Sequence, residues 1–212
     1  AGFLCGRSRK TGAPFDYFRN RIMFPIIDVS GNVIAFGGRV MDDSLPKYLN
    51  SSDTPVFKKS RNLFALNFAR ASCAEEMILC EGYMDVIAMH AAGFTNAVAT
   101  LGTALTPEQA RIMARYTKRV VISYDSDAPG QKAANRAIGI LGEVGLDVRV
   151  LRIEGAKDPD EFIKKYGADK FRQQLSGSFG KFDFNMDGIL TRHNIAIPDE
   201  KIKACAELTD LA

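Results

Sequence analysis

Cysteine and histidine are scarce, with four of the first and two of the second in 212 residues. Cys5, Cys73, Cys80 and Cys205 form no CxxC pair and have no histidine at ligand spacing, so zinc is not expected here. Cys80 sits inside an apolar stretch, the usual setting of a small buried thiol. The pattern reads as reduced thiols and a cytoplasmic setting. Long apolar runs are missing too. None approaches the roughly 20 residues a bilayer span needs, so no membrane partner is expected. The opening AGFLCGRSRKTGAPFDYFRNR lacks both an initiator Met and an apolar core of about 7–15 residues. It reads as the start of a piece excised from a longer chain, not as a signal peptide. Internal repeats and low-complexity tracts are also absent.

A large excess of one charge is missing as well, the net charge being +3. Its distribution is uneven. Up to Arg70 the chain holds 11 basic residues against five acidic ones, and the acids recover from Glu75 to Asp160. A basic first third beside an acid-bearing middle suggests a polyanion along the one and a metal ion in the other.

What is present has a regular plan. NRIMFPIIDVSGNVIAFGGRV, residues 20–40, has two apolar runs about a Ser-Gly-Asn turn and predicts a β-hairpin. DDSLPKYLNSSDTPVFKKS predicts loop, and RNLFALNFARAS a helix. From Glu75 short strands and helices alternate. MILC, NAVATL, RVVISY and LDVRVLRI predict four strands. YMDVIAMHAAG, LTPEQARIMARYTK, APGQKAANRAIGILGEVG, DPDEFIKKYG and ADKFRQQL predict the helices, Thr106 and Gln109 forming a capping box. The tail reads as mainly helical. Alternation at this pitch argues for a doubly wound parallel sheet.

Ligands of such sheets bind beyond the carboxyl ends of the strands. There the acids cluster. Glu81 follows the first strand, Asp125 and Asp127 the third, and Asp158 and Asp160 the fourth. Structural duties are open to each: Asp85 favours a helix's first turn, and Asp-Pro-Asp-Glu suits a helix start capped by Asp158. Three acidic groups on one sheet edge nevertheless point to chemistry. Two carboxylates as close as Asp125 and Asp127 repel unless a cation or a proton lies between them. Mg²⁺ takes oxygen ligands and needs only one or two carboxylates plus substrate phosphates. Two such ions about 3.5–4 Å apart can serve phosphoryl transfer.

EGYMDVIAMHAAGFTNAVATLGTALTPEQ, VVISYDSDAPGQKAANRA and KDPDEF together resemble the Toprim domain of bacterial replicative primases, the DnaG type. RIMFPIIDVSGNVIAFGGRV and PKYLNSSDTPVFKKSRNLFAL resemble the subdomain that precedes it in those enzymes. The likeness runs over nearly all of residues 1–175, and EGYMDV, GGR, PKYLNS and DPD are specific to primases within the wider Toprim group.

The resemblance implies an α/β fold, α+β overall. A doubly wound, mainly parallel Toprim sheet flanked by helices would follow a small basic subdomain containing the hairpin and precede a truncated helical one. The expected boundaries are 1–72 for the C-terminal part of the basic subdomain, 73–155 for Toprim, and 156–212 for its end and the start of the helical subdomain. Glu81, Asp125 and Asp127 would be catalytic, and these three with Asp85, Asp158 and Asp160 would surround Mg²⁺, with Mn²⁺ able to replace it. Arg21, Arg39, Lys47 and Lys59 would grip phosphates of nucleic acid or nucleotide. The implied activity is synthesis of RNA primers from ribonucleoside triphosphates on single-stranded DNA, in the bacterial cytoplasm at the replication fork. The zinc-binding module and the helicase-binding domain of such enzymes have no counterpart in these residues, so a helicase contact would belong to a domain outside them.

Other readings of the same core are a topoisomerase, an OLD-type nuclease and a nucleotide-sensing module. A receiver-like signalling domain is also doubly wound and acid-rich, but no lysine stands at a suitable strand end. A topoisomerase needs a nucleophilic tyrosine from another domain, and none of the six tyrosines stands in such a context.

Overall fold

The computed structural model describes residues 4–153 and 155–209. A two-stranded ribbon, β1 (Cys5–Arg7) with β2 (Pro14–Asp16), leads into the hairpin of β3 (Arg21–Ile27) and β4 (Val33–Val40). Asp28 closes its turn: Oδ1 accepts the N–H groups of Ser30 and Asn32, both at 2.9 Å, while Gly31 takes φ 93°. β5 (Tyr48–Asn50) then adds to β4, giving the order β3-β4-β5. This strand lies within a stretch expected to be loop. Its three residues are too few to produce an alternating pattern, and pairing with β4 supplies what propensity does not.

The next expectation is also corrected. Only one turn, α1 (Leu66–Ala69), is helical. Phe64 instead exchanges backbone hydrogen bonds with Ala99 at 2.8 and 3.3 Å, and Ala65 turns through φ 64°. A long-range strand contact has overridden local helical spacing.

From Met77 the alternation appears as expected, through β6 (Met77–Cys80), α2 (Tyr83–Ala91), β7 (Ala97–Ala99) and α3 (Pro107–Met113). It continues through β8 (Arg119–Ser123), α4 (Ala128–Gly142), β9 (Asp147–Val150), α5 (Pro159–Tyr166) and α6 (Ala168–Ser176). A two-residue strand, β10 (Phe179–Gly180), precedes α7 (Lys181–Arg192) and α8 (Pro198–Thr209). The sheet order is β10-β9-β8-β6-β7, with β6 to β9 parallel and β10 antiparallel to β9. Helix α3 stops at Met113, short of the expected Lys118.

Both faces of the sheet are buried, which is why its strands read as unbroken apolar runs. Met77, Leu79, Val120 and Ile122 pack on α3 and α4, through Met113, Ala137 and Leu141. Their neighbours Ile78, Cys80 and Val121 face the other way, onto Val86, Met89, Phe162 and Phe171 of α2, α5 and α6. Among the described residues no helix is long and apolar enough to cross a membrane.

The basic sheet is locked to the parallel one. Tyr83, at the start of α2, stacks on Phe24 at 5.2 Å and meets Phe64 edge-on at 4.6 Å. Its hydroxyl donates to Asn50 Oδ1 at 2.7 Å, and Asn50 Nδ2 donates to the Leu101 carbonyl at 2.8 Å. Gly37 is needed here because a Cβ would lie 2.8 Å from the Tyr83 ring. A second clasp is Gln109, fully buried, whose Nε2 donates to the carbonyls of Lys59 and Asn62 at 3.0 and 2.8 Å.

Candidate active site

Strands β6 and β8 are neighbours, with Cys80 in register with Ser123. Glu81 and Asp125 therefore leave the sheet side by side. The Asp125 N–H donates to Glu81 Oε2 at 3.4 Å, joining the two strand ends directly. Between Ser123 and Asp125, Tyr124 turns back into the core and is 9% exposed.

The other expected acids are divided between capping and the cluster. Asp127 caps α4, its Oδ1 accepting the Gly130 N–H at 2.8 Å. A Cβ on residue 130 would collide with the Asp125 carbonyl, so this tight turn requires glycine. Asp158 caps α5, accepting the Glu161 N–H at 2.8 Å. Asp85 reaches back from α2 to accept the Gly82 N–H at 3.1 Å. Asp160 points into an i,i+4 ion pair with Lys164 at 2.6 Å.

Capping and electrostatic coupling coexist. Burial raises the Asp85 carboxyl to about 7, against the Gly82 hydrogen bond, and the charges of Asp158, Asp125 and Glu81 push the same way as burial. Asp125 rises to about 6, again first through burial and then through Glu81 and Asp158, with Lys157 opposing. Four carboxylates from three strand ends thus share one field. Among the described residues, no group of three or more His, Cys, Asp or Glu side chains is placed to hold a single metal ion. The donors present still suit a hard cation. They are all oxygens, they resist simultaneous ionisation, and one or two of them suffice when phosphates and water complete the shell.

Of the expected basic residues, Arg21 and Arg39 stand on the β3-β4-β5 sheet, Lys47 just before β5, and Lys59 on the short turn Lys59–Arg61 that follows. Arg39 lies over the Tyr48 ring, 5.8 Å from its centroid. Tyr48 in turn stands 6.1 Å from Tyr83, and its hydroxyl feels both Arg39 and Asp85, so it links the basic sheet to the acids. Arg21 donates to the carbonyls of Gly38 and Lys47 at 3.2 and 3.4 Å, bracing β4 against the approach to β5. Lys47 is exposed. Lys59 lines a cleft of about 510 Å³ with Ser52, Asp53 and Thr103.

Sequence reasoning missed Asn50, Tyr48 and Lys157. Lys157 had a visible signal, a cation immediately before Asp158 in KDPDE. Asn50 and Tyr48 stand in PKYLNS, a stretch on which the resemblance rests, but the contacts of Asn50 with Tyr83 and Leu101 lie too far along the chain to be read from it.

Two family models match. Residues 2–70 fit the DNA primase catalytic core N-terminal domain, and residues 78–163 fit a Toprim-like domain. A DNA primase domain from Pseudomonas aeruginosa is 36% identical, with a TM-score of 0.87 over 99% of this chain and 67% of that one. The chain belongs to the bacterial DnaG-type DNA primases. Another solved member, a DnaG primase catalytic domain bound to single-stranded DNA, is 32% identical with a TM-score of 0.83, covering 99% of this chain and 69% of its own. The DNA primase of Clostridium acetobutylicum is 44% identical over 204 residues, 96% of this chain and 34% of that protein. This DnaG-type chain thus spans about a third of the length of the curated relatives it matches. The expected fold class, a mainly parallel Toprim sheet behind a smaller β-sheet, is the one observed.

Proposed function

We propose that this chain carries the catalytic centre that joins ribonucleotides into short RNA primers on single-stranded DNA during replication. The observation that carries the reading is the meeting of Glu81 and Asp125 on adjacent parallel strand ends, within the field of Asp85 and Asp158. It is supported by a similar primase catalytic domain bound to single-stranded DNA. Residues 1–72 would form the basic part, 73–155 the Toprim domain, and 156–212 the end of Toprim with the start of a helical subdomain.

Toprim primases depend on a metal ion. Here Glu81, Asp125, Asp127 and Asp158, with Asp85 and Asp160 nearby, would hold Mg²⁺, or Mn²⁺ in its place. Such an ion, when bound, withdraws charge from phosphoryl oxygens. Glu81 is exposed, so its carboxylate can reach a ribose 3′-hydroxyl and take its proton. The freed 3′-oxygen then bonds to the α-phosphorus of the next nucleotide as the bond to pyrophosphate breaks. Arg21, Arg39, Lys47 and Lys59 hold template or nucleotide phosphates, which makes binding salt-dependent. A contact with the replicative helicase would belong to a domain outside these residues, in the bacterial cytoplasm at the fork.

The test is a gel assay for labelled RNA on a single-stranded DNA template, with four ribonucleotides and Mg²⁺ or Mn²⁺. Short products from the parent that vanish in Asp125→Asn are the expected outcome. DNA cleavage without nucleoside triphosphates would favour another Toprim chemistry instead.

A further inference from the structure

Ser123, the last residue of β8, carries a hydroxyl that is both buried and unpartnered. The residue is 1% exposed, and among the described residues its Oγ makes no hydrogen bond. Gln174 Oε1 and Ser178 Oγ share that condition, but they belong to α6 and the turn after it. Ser123 instead stands two residues before Asp125. A buried donor without an acceptor costs stability, and alanine at this strand end would avoid the cost. A group of this kind asks for a partner in another state of the protein.

The alternation of β8 gives the direction of the side chain. Val120 and Ile122 pack toward α3 and α4 and Val121 toward α2 and α5, so Ser123 follows Val121 to the α2–α5 face. Its register partner on β6 is Cys80, which points the same way. These two small residues form the last layer of that face, because the strands then leave the sheet as Glu81 and as Tyr124-Asp125. Asp85, in the first turn of α2, stands over this layer. The Cys80 thiol is fully buried, and after burial itself the Asp85 carboxylate is what raises it. Asp85 spends Oδ2 on the Gly82 N–H at 3.1 Å, and among the described residues its Oδ1 accepts no hydrogen bond. An acid with a free oxygen thus lies over a layer that holds a free donor. Of the two candidates in that layer the hydroxyl is the stronger, a thiol being a weak donor.

We infer that Ser123 is a positioning residue of the acid cluster: when the cluster holds its divalent cation, the Ser123 hydroxyl donates to the Asp85 oxygen that Gly82 leaves free. The inference deepens the proposed function and rests on its reading of the acids as ion-binding. Held by one oxygen only, the Asp85 carboxylate can swing about that bond. Held by both, it keeps one orientation toward Glu81, Asp125 and Asp158, as outer partners fix the groups around a metal ion. Ser123 touches neither substrate nor ion and acts through Asp85 alone. The unsatisfied hydroxyl of the ion-free chain is then a stability cost accepted for the loaded one.

The experiment titrates Mn²⁺ alone into the chain, reading the free ion by electron paramagnetic resonance, beside thermal melts in a chelator. Ser123→Ala is expected to lower Mn²⁺ affinity about tenfold, the scale on which outer partners of metal ligands act. In the chelator the same variant should melt no lower than the parent, because it removes an unsatisfied group. Ser123→Cys keeps a weak donor and should fall between the two in affinity. In an Asp85→Ala background, Ser123→Ala should add no further loss, since the acceptor is already gone. Parental Mn²⁺ affinity in Ser123→Ala, a lower melting temperature in the chelator, or an undiminished loss in the Asp85→Ala background would each overturn the positioning role. The reading of the acids is tested separately. Affinity that falls in Asp125→Asn but not in Ser123→Ala removes the positioning role and leaves that reading standing, whereas a parent chain that binds no Mn²⁺ removes both.

Discussion

At Asp85 burial and three neighbouring carboxylates act in one direction, and a single hydrogen bond from Gly82 acts in the other. The outcome is an acid that is half ionised near pH 7 in the folded chain but near 4 when unfolded. The folded state therefore binds the proton more tightly. Stability from the neutral carboxyl is full below about pH 4 and is lost as pH rises through about 7. Asp85→Asn keeps an oxygen for Gly82 and removes the charge. Without divalent ions it should melt higher than the parent at pH 8, by a gain of about 1–3 kcal/mol, and show no gain below pH 4. Thermal melts across pH check this, and a variant that melts lower at pH 8 would remove Asp85 from the cluster. Gly37 makes a different demand. Its φ is ordinary, but the Tyr83 ring lies against it, so Gly37→Ala should cost about 1–3 kcal/mol through overpacking alone, measured by denaturant unfolding.

Among elements, α5 poses the sharpest question, because its cap is also one of the acids. Asp158 accepts the Glu161 N–H and raises the carboxyls of Asp85 and Asp125 at once. Two substitutions separate the roles. Asp158→Asn should keep the cap and the melting temperature while lowering Mn²⁺ affinity. Asp158→Ala should lose both, with about 1 kcal/mol of stability going with the cap. Equal Mn²⁺ affinity in Asp158→Asn and the parent would leave Asp158 a cap only. Helix α3 contributes in another way, through the buried side chain of Gln109. Truncating it to alanine strands the carbonyls of Lys59 and Asn62, and the expected loss is about 1–3 kcal/mol on urea unfolding.

For the whole molecule the consequence is a metal-linked stability. Carboxylates that raise one another's pKa values bind a divalent cation in competition with protons, and what binds the folded chain alone stabilises it. Mg²⁺ or Mn²⁺ should therefore raise the melting temperature more at pH 8 than at pH 5, and Asp125→Asn should shrink that difference. An ion-induced shift that is the same at both pH values would argue against binding at these acids. The basic sheet is bound to this unit through Tyr83, Asn50 and Gln109, so the proposed phosphate grip would be tied directly to the acid cluster.

The sequence by itself determined the order of the parallel strands and helices from Met77 onward, because both sheet faces are buried and local capping marks α3, α4 and α5. It placed Glu81, Asp85, Asp125, Asp127 and Asp158 at strand and helix ends for the same reason: such ends are written in adjacent residues. Tertiary structure alone decided what those residues meet. β5 forms only because β4 offers it a partner, and Phe64 leaves its helix because Ala99 is waiting. Local propensity acts over a few residues, whereas these contacts span from 9 residues to 35 and exist only once the chain has closed on itself.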